Sequence, residues 1–353
     1  MVRHLSEDKV PCLSLLQAGE LGMAEERCRI TGCDLYSELI YNMSTAAIEI
    51  TNLSKKFGAI AALNDVSFVV PEGSLVGLIG ADGAGKTTLL RILVTLITAD
   101  KGNVRVLGKN AVTEFSAIRK TIGYMPQRFS LYQDLSVREN LLFFADVFGV
   151  ERTERDARIH RLMSFSRLTE FQGRRAANLS GGMKQKLALS CALIHTPGLL
   201  ILDEPTTGVD PVSRREFWEI LFELKRQGIT ILVSTPYMEE ATACDTLLLL
   251  HKGEILKKGL PGELLAAYPL ALYRITSSAG SVTLPEGVPL PLGTVLMYPV
   301  AGALHAAAVK TDVSPKDILS HVKKTAPAAD AIEAADPTIE DLFFYLLSEK
   351  EAV

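Results

Sequence analysis

The segment that most narrows the fold of this chain is an apolar run, Leu75–Ile79, that passes without a break into Gly80-Ala81-Asp82-Gly83-Ala84-Gly85-Lys86-Thr87. An almost uninterrupted apolar run suits a buried strand. Residues 88–98 then read as a helix. Strand, glycine-rich loop and helix in that order form one supersecondary unit, and the glycines let the loop's backbone N–H groups point inward.

The loop fits the pattern G-x-x-x-x-G-K-[ST]. Inward N–H groups and the positive end of the following helix together make a cradle for phosphates. Lys86 is placed to reach β- and γ-phosphates, and the Thr87 hydroxyl to hold Mg²⁺. A glycine-rich turn without a ligand is the plainer alternative, and the flanking strand and helix argue against it. A second apolar run, 199–202, ends in Asp203 and Glu204. Asp203 fits the acid that holds Mg²⁺ in P-loop proteins, and Glu204 is a carboxylate able to polarise an attacking water. Acids at a strand end are more often solvated caps, but four apolar residues precede these and a phosphate loop accompanies them.

Elsewhere the pattern alternates. Ile48 and Ile50 alternate with polar residues, 66–70 reads as a second strand, and Pro71-Glu72-Gly73 as a turn. Residues 134–195 read as helical, with Ser136 and Glu139 forming a capping box. The Arg-rich stretch 152–175 reads as a solvated helix face. A helix over 217–225, a strand over 229–233 and a hairpin at 247–256 complete an α/β core with a mostly parallel sheet. Beyond about 265 the texture shifts to short strands, 272–276 and 303–309. A helix capped by Ser314-Pro315 runs to about 323, and a last helix begins at Thr338 with Asp341 three residues on. This reads as a small α+β appendage.

The 353 residues are 48% hydrophobic and 22% charged, which is ordinary globular composition, and the net charge of −4 gives no support for a nucleic-acid partner. No apolar run approaches the roughly 18–20 residues that span a bilayer. The expectation is a cytoplasmic chain whose membrane role, if any, runs through a separate membrane chain. Residues 1–43 lack a completed core pattern and read as a flexible extension or as upstream over-translation ahead of Met43. Cys12, Cys28 and Cys33, with His4, are too loosely spaced for a zinc site, and free thiols are the plainer expectation.

Between the phosphate loop and the acidic pair lies Leu179-Ser180-Gly181-Gly182-Met183. With Phe57, Gln127 in Tyr124-Met125-Pro126-Gln127, and Gly208-Val209-Asp210, these marks occur in the order of the ATP-binding cassette ATPases, which the chain resembles from about 48 to 266. The resemblance implies an α/β P-loop NTPase fold. Its core would be a RecA-like, mostly parallel sheet, with an antiparallel β subdomain and an α-helical subdomain inserted at about 129–195. Domain limits would be 44–266 for the cassette and 267–353 for the appendage. It implies ATP and Mg²⁺ as ligands. Gly80 to Thr88, that is Gly80, Ala81, Asp82, Gly83, Ala84, Gly85, Lys86, Thr87 and Thr88, would hold the phosphates, and Phe57 would stack on adenine, unless it is a core aromatic. Thr87, Gln127 and Asp203 would hold Mg²⁺, and Glu204, Gln127 and Lys86 would act on the attacking water and the γ-phosphate. Ser180, Gly181 and Gly182 would bind ATP held by a second cassette, and Asp210 would lie at the seam between the two.

One mark departs from the family. The strand at 229–234 should be followed by a His that contacts the γ-phosphate, and Pro236 stands there, with neither an imidazole nor a backbone N–H. Slow hydrolysis is the expectation. Pro337-Thr338-Ile339-Glu340-Asp341-Leu342-Phe343 is similar to the tail of ABC-2-type export ATPases. The loop wording Gly80-Ala81-Asp82-Gly83, Leu131-Tyr132-Gln133-Asp134 and the missing His are similar to the first cassette of tandem multidrug exporters. The resemblance implies an export ATPase on the cytoplasmic face of the membrane, with ABC-2-type permease subunits and a second cassette as partners, a heterodimer being favoured over a homodimer. Two rivals stay open: a regulatory cassette that binds ATP without turnover, and a soluble cassette protein outside transport.

Overall fold

The computed structural model describes residues 46–128, 131–284, 290–291, 293–300, 302–309 and 314–351. The expectations for 1–43, including Cys12, Cys28 and Cys33, lie outside the described residues, as does the very start of the segment expected at 129–195. The chain divides into two compact units, one built from residues up to 74 with 88–202 and 208–232, the other from 75–87, 203–207 and 233 onward.

In the first unit, strands Ala46–Phe57 and Ile60–Pro71 pair antiparallel, and Lys101–Val106 and Lys109–Asn110 extend the sheet. The alternating Ile48 and Ile50 are buried. Ile122–Met125 pairs parallel with the strand that begins at Leu199, in register Ile122 to Leu199 and Met125 to Leu202. Helices Val137–Val147, Arg152–Phe165 and Gly181–Leu193 enclose a core of Leu141, Ile159, Met163, Leu187 and Ile194. The capping box forms: the Glu139 N–H donates to the Ser136 hydroxyl at 3.2 Å, and the Ser136 N–H donates to the Glu139 carboxylate at 2.8 Å. On Arg152–Phe165, the part-buried Arg155 and Arg158 pair with Asp146 and Glu154, while Asp156 pairs with Arg138 of the preceding helix. The helix after the glycine-rich loop is shorter than the pattern suggests. It ends at Leu93 because Thr95 turns into the left-handed region, at φ 61°, and the N–H of Leu96 folds back on the carbonyl of Arg91.

In the second unit, Leu75–Ile79 runs parallel to Thr246–His251, which forms a hairpin with Glu254–Gly259. Every residue of Leu75–Ile79 is buried. A four-stranded antiparallel sheet follows, in the order Thr294–Val300, Ala303–Ala308, Ala271–Thr276, Ala331–Ala335. Helix Pro315–Thr325 covers it through Ile318 and Val322. Ser314 occupies the cap position but makes no side-chain cap bond, so proline in the first turn carries that helix start alone. The last helix, Ile339–Glu351, is fastened differently. Asp341 is fully buried and accepts hydrogen bonds from Tyr298 (2.6 Å) and from the hydroxyl and N–H of Thr338 (2.6 and 2.8 Å), with His305 Nδ1 at 2.7 Å. Burial pushes the Asp341 carboxyl up, but these hydrogen bonds outweigh it and hold the group below the usual carboxylate range.

Candidate functional site

Gly80 is where the buried strand Leu75–Ile79 ends, and a side chain there would collide with the carbonyl oxygen of Leu250. The chain then turns at Gly83 and Gly85, with φ of 76° and 109°, leaving Ala81, Asp82 and Gly83 exposed while Ala84 and Lys86 are buried. Lys86 is only 4% exposed, and its ammonium donates to the carbonyls of Gly80 (2.7 Å) and Ala81 (3.1 Å). It also pairs with Glu204 Oε1 at 3.1 Å, and Glu204 is 5% exposed. A buried charge is costly unless paired and hydrogen-bonded, and here one cation and one anion are held at the loop that ends the strand.

The second acid converges on the same place. The Thr87 hydroxyl donates to Asp203 Oδ1 at 3.2 Å, and Ser234 Oγ donates to the same oxygen at 2.9 Å. The Glu204 N–H is shared between Ser234 Oγ (3.0 Å) and the Ser234 carbonyl (3.1 Å). Glu204 has φ 49°, a left-handed conformation uncommon for a residue with a Cβ, and these bonds hold it there. Thus Lys86, Thr87, Asp203 and Glu204, far apart in sequence, gather within one unit. Oxygen donors of this type suit a small hard cation, so a carboxylate and a hydroxyl already in contact fit Mg²⁺. Pro236 follows the buried end of strand Thr230–Thr235, where the Tyr237 N–H donates to the Thr235 hydroxyl at 3.0 Å.

The remaining candidates belong to the other unit. Phe57 ends strand Ala46–Phe57 with half its surface exposed and Lys55 Nζ 5.4 Å from its ring centroid. It is not a core aromatic, and its ring is open to a flat partner. Gln127 lies two residues beyond strand Ile122–Met125, on the surface. Ser180 caps helix Gly181–Leu193, accepting from the Met183 N–H at 3.3 Å, and both Ser180 and Gly181 are exposed. Gly182 is buried, and a Cβ there would lie 2.5 Å from the side chain of Ser213. The second glycine is thus a close approach of two helices. Asp210 caps the other one, Pro211–Arg226, accepting from the Ser213 N–H at 2.9 Å, which holds its carboxyl below the usual range. A buried Lys186 pairs with Glu216 between the same helices.

Sequence reasoning missed Ser234, whose only signal is a hydroxyl pair, Ser234-Thr235, at the end of an apolar run. It also missed an open apolar groove of about 310 Å³ lined by Leu96, Tyr124, Phe144, Phe148, Cys191 and Ala192. Those residues come from separate segments, and no single pattern announces them.

Over nearly two thirds of its length the chain is similar to known proteins. The family model described as ABC transporter matches residues 63–207. Nod factor export ATP-binding protein I of Bradyrhizobium diazoefficiens is 42% identical over 225 residues, covering 64% of this chain and 74% of that protein. This chain belongs to the ABC transporter ATP-binding family. The probable multidrug ABC transporter ATP-binding protein YbhF of Escherichia coli is 44% identical over 224 residues, 63% of this chain. The match spans only 39% of YbhF, well under half of its length. Among solved structures, an ATP-binding subunit of an ABC transporter superposes with TM-score 0.58 at 32% identity, covering 64% of this chain and 93% of that one. A post-hydrolysis dimer of the cassette MJ0796 with ADP and Pi gives TM-score 0.55 at 27% identity, covering 60% and 98%. The chain therefore has the α/β fold of ABC ATPase cassettes. Among the described residues no helix is long and apolar enough to cross a membrane.

Proposed function

We propose that this ABC family member is the ATP-binding and ATP-hydrolysing subunit of an exporter, working through separate membrane subunits on the cytoplasmic face of the membrane. The observation that carries the reading is the buried meeting of Lys86, Thr87, Asp203 and Glu204 at the glycine-rich loop. In this reading Gly80–Thr88 backbone and Lys86 hold the phosphates, and Phe57 stacks on the base, which needs only an exposed ring face. Thr87 and Asp203, with Gln127, hold Mg²⁺, which supplies charge neutralisation at the phosphates. Glu204 exchanges its contact with Lys86 for the attacking water, and its strained backbone keeps the carboxylate aimed.

Ser180, Gly181 and Asp210 lie exposed at adjoining helix starts, which supports a role toward ATP held by a second cassette. The open groove at Phe144 and Phe148 supports a membrane-subunit partner. The relatives' printed names, multidrug and Nod factor export, support an exporter, with a drug-like, lipid or polymer molecule as the proposed cargo, and the 337–343 tail supports the ABC-2 type. Pro236 favours a second reading: a slow cassette paired with an active, His-bearing partner.

The test is to mix the full chain with Mg-ATP and measure binding and phosphate release separately, for the wild type and for Glu204→Gln. The reading expects saturable binding at micromolar to millimolar ATP, about the usual range for enzyme substrates, retained in the variant while release is lost. Failure of the wild type to bind Mg-ATP at millimolar concentration overturns it. Binding with little release by the chain alone, and release once a second cassette is added, favours the second reading.

A further inference from the structure

Glu240 sits in the 3₁₀ helix Met238–Ala243, directly after the Pro236 position, and is only 6% exposed. Its carboxylate accepts from two hydroxyls. Thr206 Oγ1 lies 2.9 and 3.2 Å from the two carboxylate oxygens, and Thr235 Oγ1 lies 2.6 Å from Oε2. Both threonines are essentially buried. Thr206 is two residues beyond Glu204, and Thr235 is the last residue before Pro236. The Thr235 hydroxyl also accepts the Tyr237 N–H, so its proton is committed to Glu240.

Two chain segments are thereby tied at two points. Ser234 binds Asp203 and the Glu204 N–H at one end, and Glu240 binds Thr206 at the other. Between the two ties lies Glu204 with its left-handed backbone. Such a conformation costs about 1–3 kcal/mol and persists only when its surroundings over-determine it. The C-terminal helix Ile339–Glu351 also packs on this 3₁₀ helix. A buried carboxylate is an expensive way to fill space, and a neutral side chain would pack at lower cost. The expense is explained if the charge holds the two threonine hydroxyls in fixed orientation.

We propose that Glu240 is a positioning residue for the hydrolytic step: it fixes the loop that aims Glu204, and does so without touching nucleotide. This rests on the ATPase reading above. The test compares full-chain Glu240→Gln, Thr206→Val and the double variant with wild type under single-turnover conditions. Mg-ATP affinity, hydrolysis rate and thermal melting are each measured. Glutamine offers one acceptor oxygen in place of two, and valine keeps the shape of threonine without its hydroxyl. The expected result is a hydrolysis rate lower by about tenfold or more, an ATP affinity within about twofold, and a double variant no slower than the slower single one. Thr206→Ser, which keeps the hydroxyl, should retain the wild-type rate.

Unchanged hydrolysis in Glu240→Gln and Thr206→Val overturns the proposal, as does loss of affinity and melting temperature in proportion to rate. If Glu240→Gln does not fold, Thr206→Val against Thr206→Ser decides by the same criteria. A wild type that neither binds nor cleaves ATP refutes the ATPase reading itself, before any variant is compared.

Discussion

Two glycine-containing loops open helices in this chain, and they are built on opposite plans. The loop at Gly80–Thr87 turns inward: its lysine is buried, bonded to two of the loop's own carbonyls and paired with Glu204. The loop at Ser180–Gly182 turns outward: Ser180 and Gly181 are exposed, and only Gly182 is buried, against Ser213. Both use a helix N-terminus, where unsatisfied N–H groups favour an anion. The first also brings its own opposite charges and an acid, as a site for chemistry needs. The second offers exposed donors, and the acid beside it, Asp210, is engaged in capping the neighbouring helix through the Ser213 N–H. A helix start alone says where an anion can sit; the charges around it say whether anything happens to it.

The comparison is broken most readily at Lys86. Lys86→Ala is expected to slow phosphate release by about 10²–10³-fold, with loss of ATP binding, whereas Ser180→Ala should leave binding by the same chain unchanged. Equal binding defects in the two variants would show that the loops are not divided in this way. Next comes the helix contact. Gly182→Ala puts a Cβ 2.5 Å from Ser213 and is expected to destabilise the chain by about 1–3 kcal/mol, as overpacking does. At Gly181 the nearest atom to a Cβ is 3.8 Å away, so Gly181→Ala should hardly move the melting temperature. Combining Gly182→Ala with Ser213→Gly should recover most of the loss, and no recovery would mean that close approach is not the reason for that glycine. The smallest effect concerns the inward loop's rate. Pro236→His is expected to raise single-turnover hydrolysis by about tenfold, since it restores a donor of the kind that stabilises developing charge. An unchanged rate would sink the proposal that Pro236 slows turnover.

Local rules made much of this legible in sequence. The capping box at Ser136 and Glu139 formed because its atoms lie within one helical turn. The continuous apolar run marks Leu75–Ile79 as a buried strand, and all five residues are buried. The sequence carries the helix past Leu93 because the left-handed turn at Thr95 has no glycine to announce it. At Phe57 the sequence allows both a core aromatic and an exposed ring, since periodicity at the end of a strand does not decide which way a side chain faces.

By itself, the sequence determined the buried strand with its glycine-rich loop, the acidic strand end, the Ser-Gly-Gly helix start and the family these define. Each is local: backbone geometry, a run of apolar residues, or a cap within a few residues. Tertiary structure decided which polar groups meet. Thr87 reaches Asp203 across 116 positions, Glu240 reaches Thr206 across 34, and Tyr298 reaches Asp341 across 43. No local pattern encodes those pairs. A buried polar group must find its partner wherever the fold brings one, so the partner is fixed by packing and not by spacing along the chain.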